Sequence, residues 1–153
     1  MSIKPYLNIE TSSDFQVYEF ESTGKESIKK RVRFDLIDEA EHIYNLALCT
    51  IPPDGSEDCI TASRNGDMDT VLETTAYIAI IYTNRFPDRK VFFRGSNAVR
   101  SRKYQMGIVR YLEVVTKDFF IEGLLINSLN EIILREPFQN GKNYTGFIFT
   151  RKK

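Results

Sequence analysis

The run Ile28-Lys29-Lys30-Arg31-Val32-Arg33-Phe34-Asp35-Leu36-Ile37 alternates. Ile28, Lys30, Val32, Phe34 and Leu36 fall on one side of an extended chain, and Lys29, Arg31, Arg33 and Asp35 on the other. A period of two predicts a half-buried strand with a charged outer face. The flanking segments read the same way. Asp14 to Glu21 carries Phe15, Val17, Tyr18 and Phe20, types that favour strands, and Ser22-Thr23-Gly24-Lys25 is the turn that follows. Ile43 to Ile51 predicts a third strand, stopped by the turn formers Pro52-Pro53-Asp54-Gly55. Cys59 to Ala62 predicts a short fourth. The first third of the chain is therefore an antiparallel meander, and residues 1–13 are its lead-in.

Beyond Asn65-Gly66-Asp67 the period lengthens. Val71, Leu72, Thr75, Ala76, Ala79, Ile80 and Thr83 make one helical stripe, while Tyr77, Ile78, Ile81 and Tyr82 add apolar surface on other faces. Asp67 or Asp69 caps this helix, which runs to about Arg85 and ends before Pro87. A strand over Lys90 to Phe93 follows, then a second helix capped by Ser96 and reaching about Thr116. Phe119 to Ile126 is a strand, Leu129 to Arg135 a short helix, Gln139-Asn140-Gly141-Lys142 a turn, and Tyr144 to Thr150 the closing strand. The fold class is α+β: an N-terminal antiparallel β-meander followed by two main helices alternating with further strands, as a single sheet or a partly closed barrel. No repeat, low-complexity segment or linker interrupts residues 1–153, which read as a single domain.

Composition narrows the function classes. A chain of 153 residues, 42% hydrophobic and 27% charged, belongs with folded globular proteins. Basic and acidic residues number 21 each, so no global charge draws the molecule to nucleic acid or to a membrane. Cys49, Cys59 and His42 are too few for a Cys/His zinc site, and no other metal or cofactor site is read. The two cysteines read as reduced thiols in a cytoplasmic protein, with a disulfide between them as the alternative. The segment Met1-Ser2-Ile3-Lys4-Pro5 lacks the apolar region of a signal peptide. The longest apolar run, Ala76 to Tyr82, falls far short of the ~20 residues of a membrane span.

Charge is nonetheless polarised. Arg85 to Arg110 holds eight basic residues (Arg85, Arg89, Lys90, Arg94, Arg100, Arg102, Lys103, Arg110) against Asp88. Within it an apolar strand runs through Arg94-Gly95-Ser96-Asn97 into a helix. A helix start presents unpaired N–H groups and partial positive charge, which suits a phosphate or carboxylate. On this reading Arg94, Gly95, Ser96, Asn97, Arg100, Arg102 and Lys103 form an anion site. The plainer alternative is an ordinary capped helix with a solvated basic face. A second basic feature is Lys29, Arg31 and Arg33 on one strand face, with Tyr18 and Phe20 on the strand before. Such a sheet can bind single-stranded nucleic acid by stacking and phosphate contact. The alternative is a solubilising face balanced by Glu19 and Glu21, with the aromatics turned inward. Acidic residues concentrate in Asp35, Asp38, Glu39 and Glu41 and again in Asp54, Glu57, Asp58, Asp67, Asp69 and Glu73. A two-metal nuclease needs such carboxylates fixed on strands, whereas these lie mostly in turns and at a helix start and fit turn and cap duty. No residue is assigned a catalytic role: His42 reads as a bystander and Cys49 as a buried thiol.

Val17-Tyr18-Glu19-Phe20 with Ser22-Thr23-Gly24, Ile43-Tyr44-Asn45-Leu46-Ala47, Phe93-Arg94-Gly95-Ser96-Asn97 with Arg100, Arg102 and Tyr104, and Asn143-Tyr144-Thr145-Gly146-Phe147 with Arg151-Lys152 together resemble an uncharacterised family of short bacterial proteins. The resemblance is carried mainly by Phe93 to Tyr104 and Asn143 to Lys152, and Asn97 stands where that family has threonine. It implies the fold and a bacterial, cytoplasmic setting, and brings no function with it. The residues themselves favour a non-enzymatic binding or interaction module, with an anion or a nucleic-acid backbone as ligand. The rival is an enzyme acting on a phosphorylated or nucleotide substrate held at Gly95–Asn97. The helix around Ala76 to Tyr82, apolar without a break, further predicts a homodimer, with complete burial inside one chain as the alternative.

Overall fold

The computed structural model describes residues 4–60, 64–110 and 112–153. Among them the chain is α+β, with eight strands and three helices. It divides into two compact units that interleave in sequence. The first holds the described residues of 2–36 and 45–86, and the second those of 37–44 and 87–153.

The first unit contains β1 (Glu10–Thr11), β2 (Val17–Thr23), most of β3 (Ser27–Asp38) and β4 (Ile43–Ile51), and α1 (Met68–Arg85). Its strands lie in the order β1-β2-β3-β4. The alternation on β3 holds: Val32 and Phe34 are buried between half-exposed Arg31 and Arg33. Lys30 is buried too, because its ammonium donates to Thr50 Oγ1 at 2.8 Å. The inward face ends at Phe34, since Leu36 is 50% exposed. β2 runs antiparallel to β3 with Tyr18 opposite Val32 and Glu19 opposite Arg31.

The buried stripe of α1 differs from the one expected. It is Val71, Thr74, Thr75, Ile78, Tyr82 and Thr83, so Ile78 and Tyr82 lie at its centre, and Leu72, Ala76, Ala79 and Ile80 are half-buried. Two causes shift it. The Tyr82 ring stacks on Phe34 with centroids 3.7 Å apart. The threonines satisfy their hydroxyls within the helix: Thr74 donates to the Thr70 carbonyl at 2.7 Å, Thr75 to Val71 at 2.8 Å and Thr83 to Ala79 at 2.8 Å. Truncating Tyr82 to alanine would cost roughly 3–5 kcal/mol, as aromatic core deletions do. Asp67 stands at the N-cap but makes no side-chain cap bond. Its carboxylate instead accepts from the hydroxyls of Tyr6 and Ser22, each at 2.5 Å. The lead-in is thereby docked, with the Tyr6 ring stacked on Phe20.

Cys49 and Cys59 are joined as a disulfide, which corrects the expectation of two reduced thiols. The cause is local. Thr50 and Asp58 exchange both backbone hydrogen bonds, at 2.7 and 2.9 Å. The adjoining pair, Cys49 and Cys59, is then the closely spaced kind, with Cα atoms 3.9 Å apart. That bridge is all the described residues show of the expected strand at 59–62, and residues 61–63 lie outside them.

The second unit contains β5 (Lys90–Phe93), α2 (Ala98–Arg110), α3 (Leu112–Asp118), β6 (Phe119–Ile126), β7 (Ile132–Pro137) and β8 (Gly146–Arg151). Its strand order is β5-β8-β6-β7, with the start of β4 beside β5, where the Lys90 N–H donates to the His42 carbonyl at 2.8 Å. The pairings of β5 with β8, β8 with β6 and β6 with β7 are antiparallel. Neither unit closes its strands into a barrel. The long second helix expected to reach Thr116 is two helices, α2 and α3. The short helix expected at Leu129 to Arg135 is instead β7. Asn127 decides this: its Oδ1 accepts the N–H groups of Leu129 and Glu131, both at 2.9 Å, and Asn130 adopts φ 62°, which makes a hairpin turn. The core comprises Ile43, Phe92, Leu124 and Ile148 beside Ile108, Ile121, Tyr144 and Phe147. At its rim Arg135 forks onto Glu122 at 2.8 and 3.1 Å and reaches Glu41 at 2.8 Å. Among the described residues no helix is long and apolar enough to cross a membrane.

Candidate anion-binding site

The turn between β5 and α2 is built on a close backbone approach. An alanine Cβ at Gly95 would lie 2.3 Å from Ser101 N and 2.7 Å from the Arg100 carbonyl carbon. Only glycine lets the strand end press on the first turn of the helix. The Gly95 N–H donates to Ser101 Oγ at 3.1 Å, and that buried hydroxyl donates to the Thr145 carbonyl at 3.3 Å. The cap is Asn97, not Ser96: its Oδ1 accepts the Arg100 N–H at 2.9 Å, and its carbonyl accepts Ser101 N–H at 3.0 Å. The buried face of α2 is Ser101, Tyr104 and Ile108, with the Tyr104 ring stacked on Phe93 at 4.5 Å. Burial pushes the Tyr104 phenol up, against the opposing pull of Arg100.

Arg94, Arg102 and Lys103 are exposed and Arg100 half-buried on the remaining surface. Arg94 reaches Asn130 Oδ1 at 3.4 Å, a neutral partner. Among the described residues none of these four cations has a carboxylate partner. Arg102 and Lys103 stand one helical turn from exposed Val99 and Met106, which are 66% and 58% exposed. The structure thus gathers Arg94, Gly95, Ser96, Asn97, Arg100, Arg102 and Lys103 around one helix start.

Lys29, Arg31 and Arg33 present a different picture. Arg31 Nε meets Glu19 at 2.7 Å and its Nη1 meets Glu57 at 3.2 Å. Arg33 Nε meets the other Glu57 oxygen at 2.9 Å and its Nη1 pairs with Asp35. The Glu19 hydrogen bond leads in raising Arg31. At Glu57 burial pushes the carboxyl up, but Arg33 and Arg31 outweigh it and hold it below its usual range. Exposed Lys29 lies opposite Glu21. Tyr18 and Phe20 point inward, 1% and 3% exposed, and offer no stacking surface. Asp54 and Asp58 do turn duty, Asp54 Oδ1 accepting from Ser56 N at 2.9 Å and Oγ at 2.7 Å and Asp58 Oδ1 from Ile60 N at 3.0 Å, whereas Glu57 bridges the two arginines.

Sequence reasoning missed a polar stripe on α2. Asn97, Ser101 and Gln105 recur every fourth residue, one face of a helix. Gln105 Oε1 accepts the Tyr144 N–H at 3.0 Å and its amide donates to the Lys142 carbonyl. Tyr144 lies against Gly123, where a Cβ would come within 2.5 Å of the ring, and donates to Glu136 at 2.7 Å. Asn143-Tyr144-Thr145-Gly146 is therefore tied to the helix that carries the basic surface. That spacing of four was the signal available. Neither the curated proteins nor the solved structures gave a match. A family model matches residues 2–152, and the chain belongs to that family, DUF6934, a family of unknown function.

Proposed function

We propose that the protein is a non-enzymatic binding module whose ligand is an anion, a nucleic-acid backbone included, taken by the β5–α2 turn and the exposed side of α2. The observation that carries this is the set Arg94, Arg100, Arg102 and Lys103 without a carboxylate partner among the described residues. Cations left unneutralised beside a helix start favour phosphate. The binding reading stands ahead of an enzyme acting on a phosphorylated or nucleotide substrate because, among the described residues, none of these four cations meets a carboxylate that could serve as acid or base beside the turn. Titration of labelled protein with inorganic phosphate and with oligothymidylate tests it. Amide signals of residues 95–98 should move, Arg94→Ala with Arg100→Ala should weaken the response, and added salt should abolish it. Unmoved amides and no oligonucleotide binding at low salt would remove this reading.

The same reading keeps a bacterial, cytoplasmic setting and a homodimer through α1. The face left for the dimer is exposed Tyr77 with half-buried Ile80 and Ile81, and fully buried Ile78 is not part of it. Light scattering at high micromolar concentration checks this, and a monomer mass ends the dimer.

A further inference from the structure

The arm from Pro52 to Cys59 is lightly held. Residues 53–56 are exposed, and the arm returns to β4 through the isolated Thr50–Asp58 pairing. Its covalent hold is the bond from Cys59 to Cys49. Beside that bond Glu57 sits between two guanidinium groups, one oxygen 2.9 Å from Arg33 Nε and the other 3.2 Å from Arg31 Nη1. Cys59 Sγ lies 3.5 Å from the same carboxylate. Arg31 and Arg33 stand two positions apart on one face of β3, so their forks converge on a single oxyanion. Cys49, Glu57 and Cys59 are close enough together for a metal ion, but joined sulfurs and a carboxylate shared by two arginines leave no ligand charge for one.

We propose that Arg31 and Arg33 form an oxyanion seat, that Glu57 is its tethered occupant, and that the Cys49–Cys59 disulfide is a thiol–disulfide exchange site that controls the tether. The ligand class is a carboxylate or phosphate group, like for like with the Glu57 carboxylate. Exchange begins at Cys59, which is half-buried, whereas Cys49 is 1% exposed. A thiolate of an external dithiol attacks Cys59 Sγ, the Cys49–Cys59 bond breaks, and Cys49 leaves as a thiolate that takes up a proton. The second thiol of the reductant then attacks the mixed disulfide, forming the oxidised dithiol and releasing Cys59 as a thiol. Two electrons and two protons pass from the dithiol to the protein, and the reductant ends as a disulfide. A tether that holds Glu57 in place keeps its effective concentration at the seat high, and releasing the arm lowers it.

This inference uses other residues than the α2 site, so its test reads those residues. Free-thiol titration with and without excess dithiol follows the bond. The side-chain Nη–H resonances of Arg31 and the Nε–H resonance of Arg33, the groups that face Glu57, follow the seat during titration with inorganic phosphate and, separately, with acetate. In the oxidised protein these resonances should resist both anions. In the reduced protein, and in Cys59→Ser, they should titrate with an apparent affinity higher by on the order of tenfold or more. Glu57→Gln should respond equally in either redox state, because the tethered occupant then carries no charge to compete with the anion, while Glu19 and Asp35 and the disulfide are unchanged. Resonances that respond alike in oxidised and reduced wild type overturn the tether. A Glu57→Gln protein that ignores both anions overturns the seat. A pair that stays oxidised under excess dithiol overturns the exchange site.

Discussion

Two basic surfaces of this chain have similar sequence credentials and opposite circumstances. On β3, Arg31 and Arg33 each meet two carboxylates, drawn from Glu19, Asp35 and Glu57. On and before α2, Arg94, Arg100, Arg102 and Lys103 meet none among the described residues. Charge along a chain therefore says where cations are made, and the fold says which are spent. The β3 arginines are answered at a distance, with Glu57 arriving from 24 and 26 residues away. The α2 cations sit on a helix whose polar stripe of Asn97, Ser101 and Gln105 is used to hold the helix down, which leaves the charged side outward.

The largest effect expected from breaking this comparison is at Gly95. Gly95→Ala forces a Cβ against the backbone of Ser101 and Arg100, and should cost about 3 kcal/mol, the upper range for overpacking. A urea midpoint that does not move would show that the helix start yields easily, and that α2 is not rigidly seated.

The contrast itself is sharpened by paired neutralisations in the oxidised protein. Arg102→Gln with Lys103→Gln should lower the log–log salt slope for oligothymidylate by about 1.4 units, two contacts at roughly 0.7 each on a single strand. Arg31→Gln with Arg33→Gln should leave that slope unchanged and cost no more than roughly 1 kcal/mol of stability, as partly exposed ion pairs do. Equal effects on slope from both pairs would erase the distinction.

The smallest effect concerns the layer beneath the β3 arginines. The Tyr18 hydroxyl is buried and has no partner among the described residues. Tyr18→Phe removes an unsatisfied group and should leave stability unchanged or raise it by up to about 1 kcal/mol. Burial pushes this phenol up to about 12 from its ordinary value of 10.0. The folded state thus favours the neutral form, a contribution fully present below pH 10 and lost as pH rises toward 12. Alkaline unfolding should therefore shift to higher pH in Tyr18→Phe. An unchanged midpoint would mean that Tyr18 ionises without penalty.

Much of the fold was legible locally. The alternation in β3, the Pro-Pro-Asp-Gly stop after Ile51, and the apolar runs of β5 and β6 are short-range signals, and the elements fall where those signals put them. What failed depended on partners far away or on side chains that change character. Ile132-Ile133-Leu134 carries no period of its own, and only the turn bonds of Asn127 make it a strand. The stripe of α1 was centred on Ala76, Ala79 and Ile80, whereas the stacking of Tyr82 on Phe34, a strand residue far away in sequence, turns Ile78 and Tyr82 inward. At the candidate site the basic residues were visible. Ser101 was not, since its partners are Gly95 and Thr145, the latter 44 residues off. The pairing of Cys49 with Cys59 was open in the sequence and was settled by the Thr50–Asp58 bridge.

The interleaving of the two units has a consequence for how the protein is made. The turn between β3 and β4, residues 37–44, belongs with strands that begin only at Lys90. On the ribosome that turn emerges early, with no β5 yet synthesised for Ile43 to pack against. Through that interval Ile43 lacks Phe92, which it packs against in the finished fold. A gene cut after Phe86 would leave it permanently unmatched.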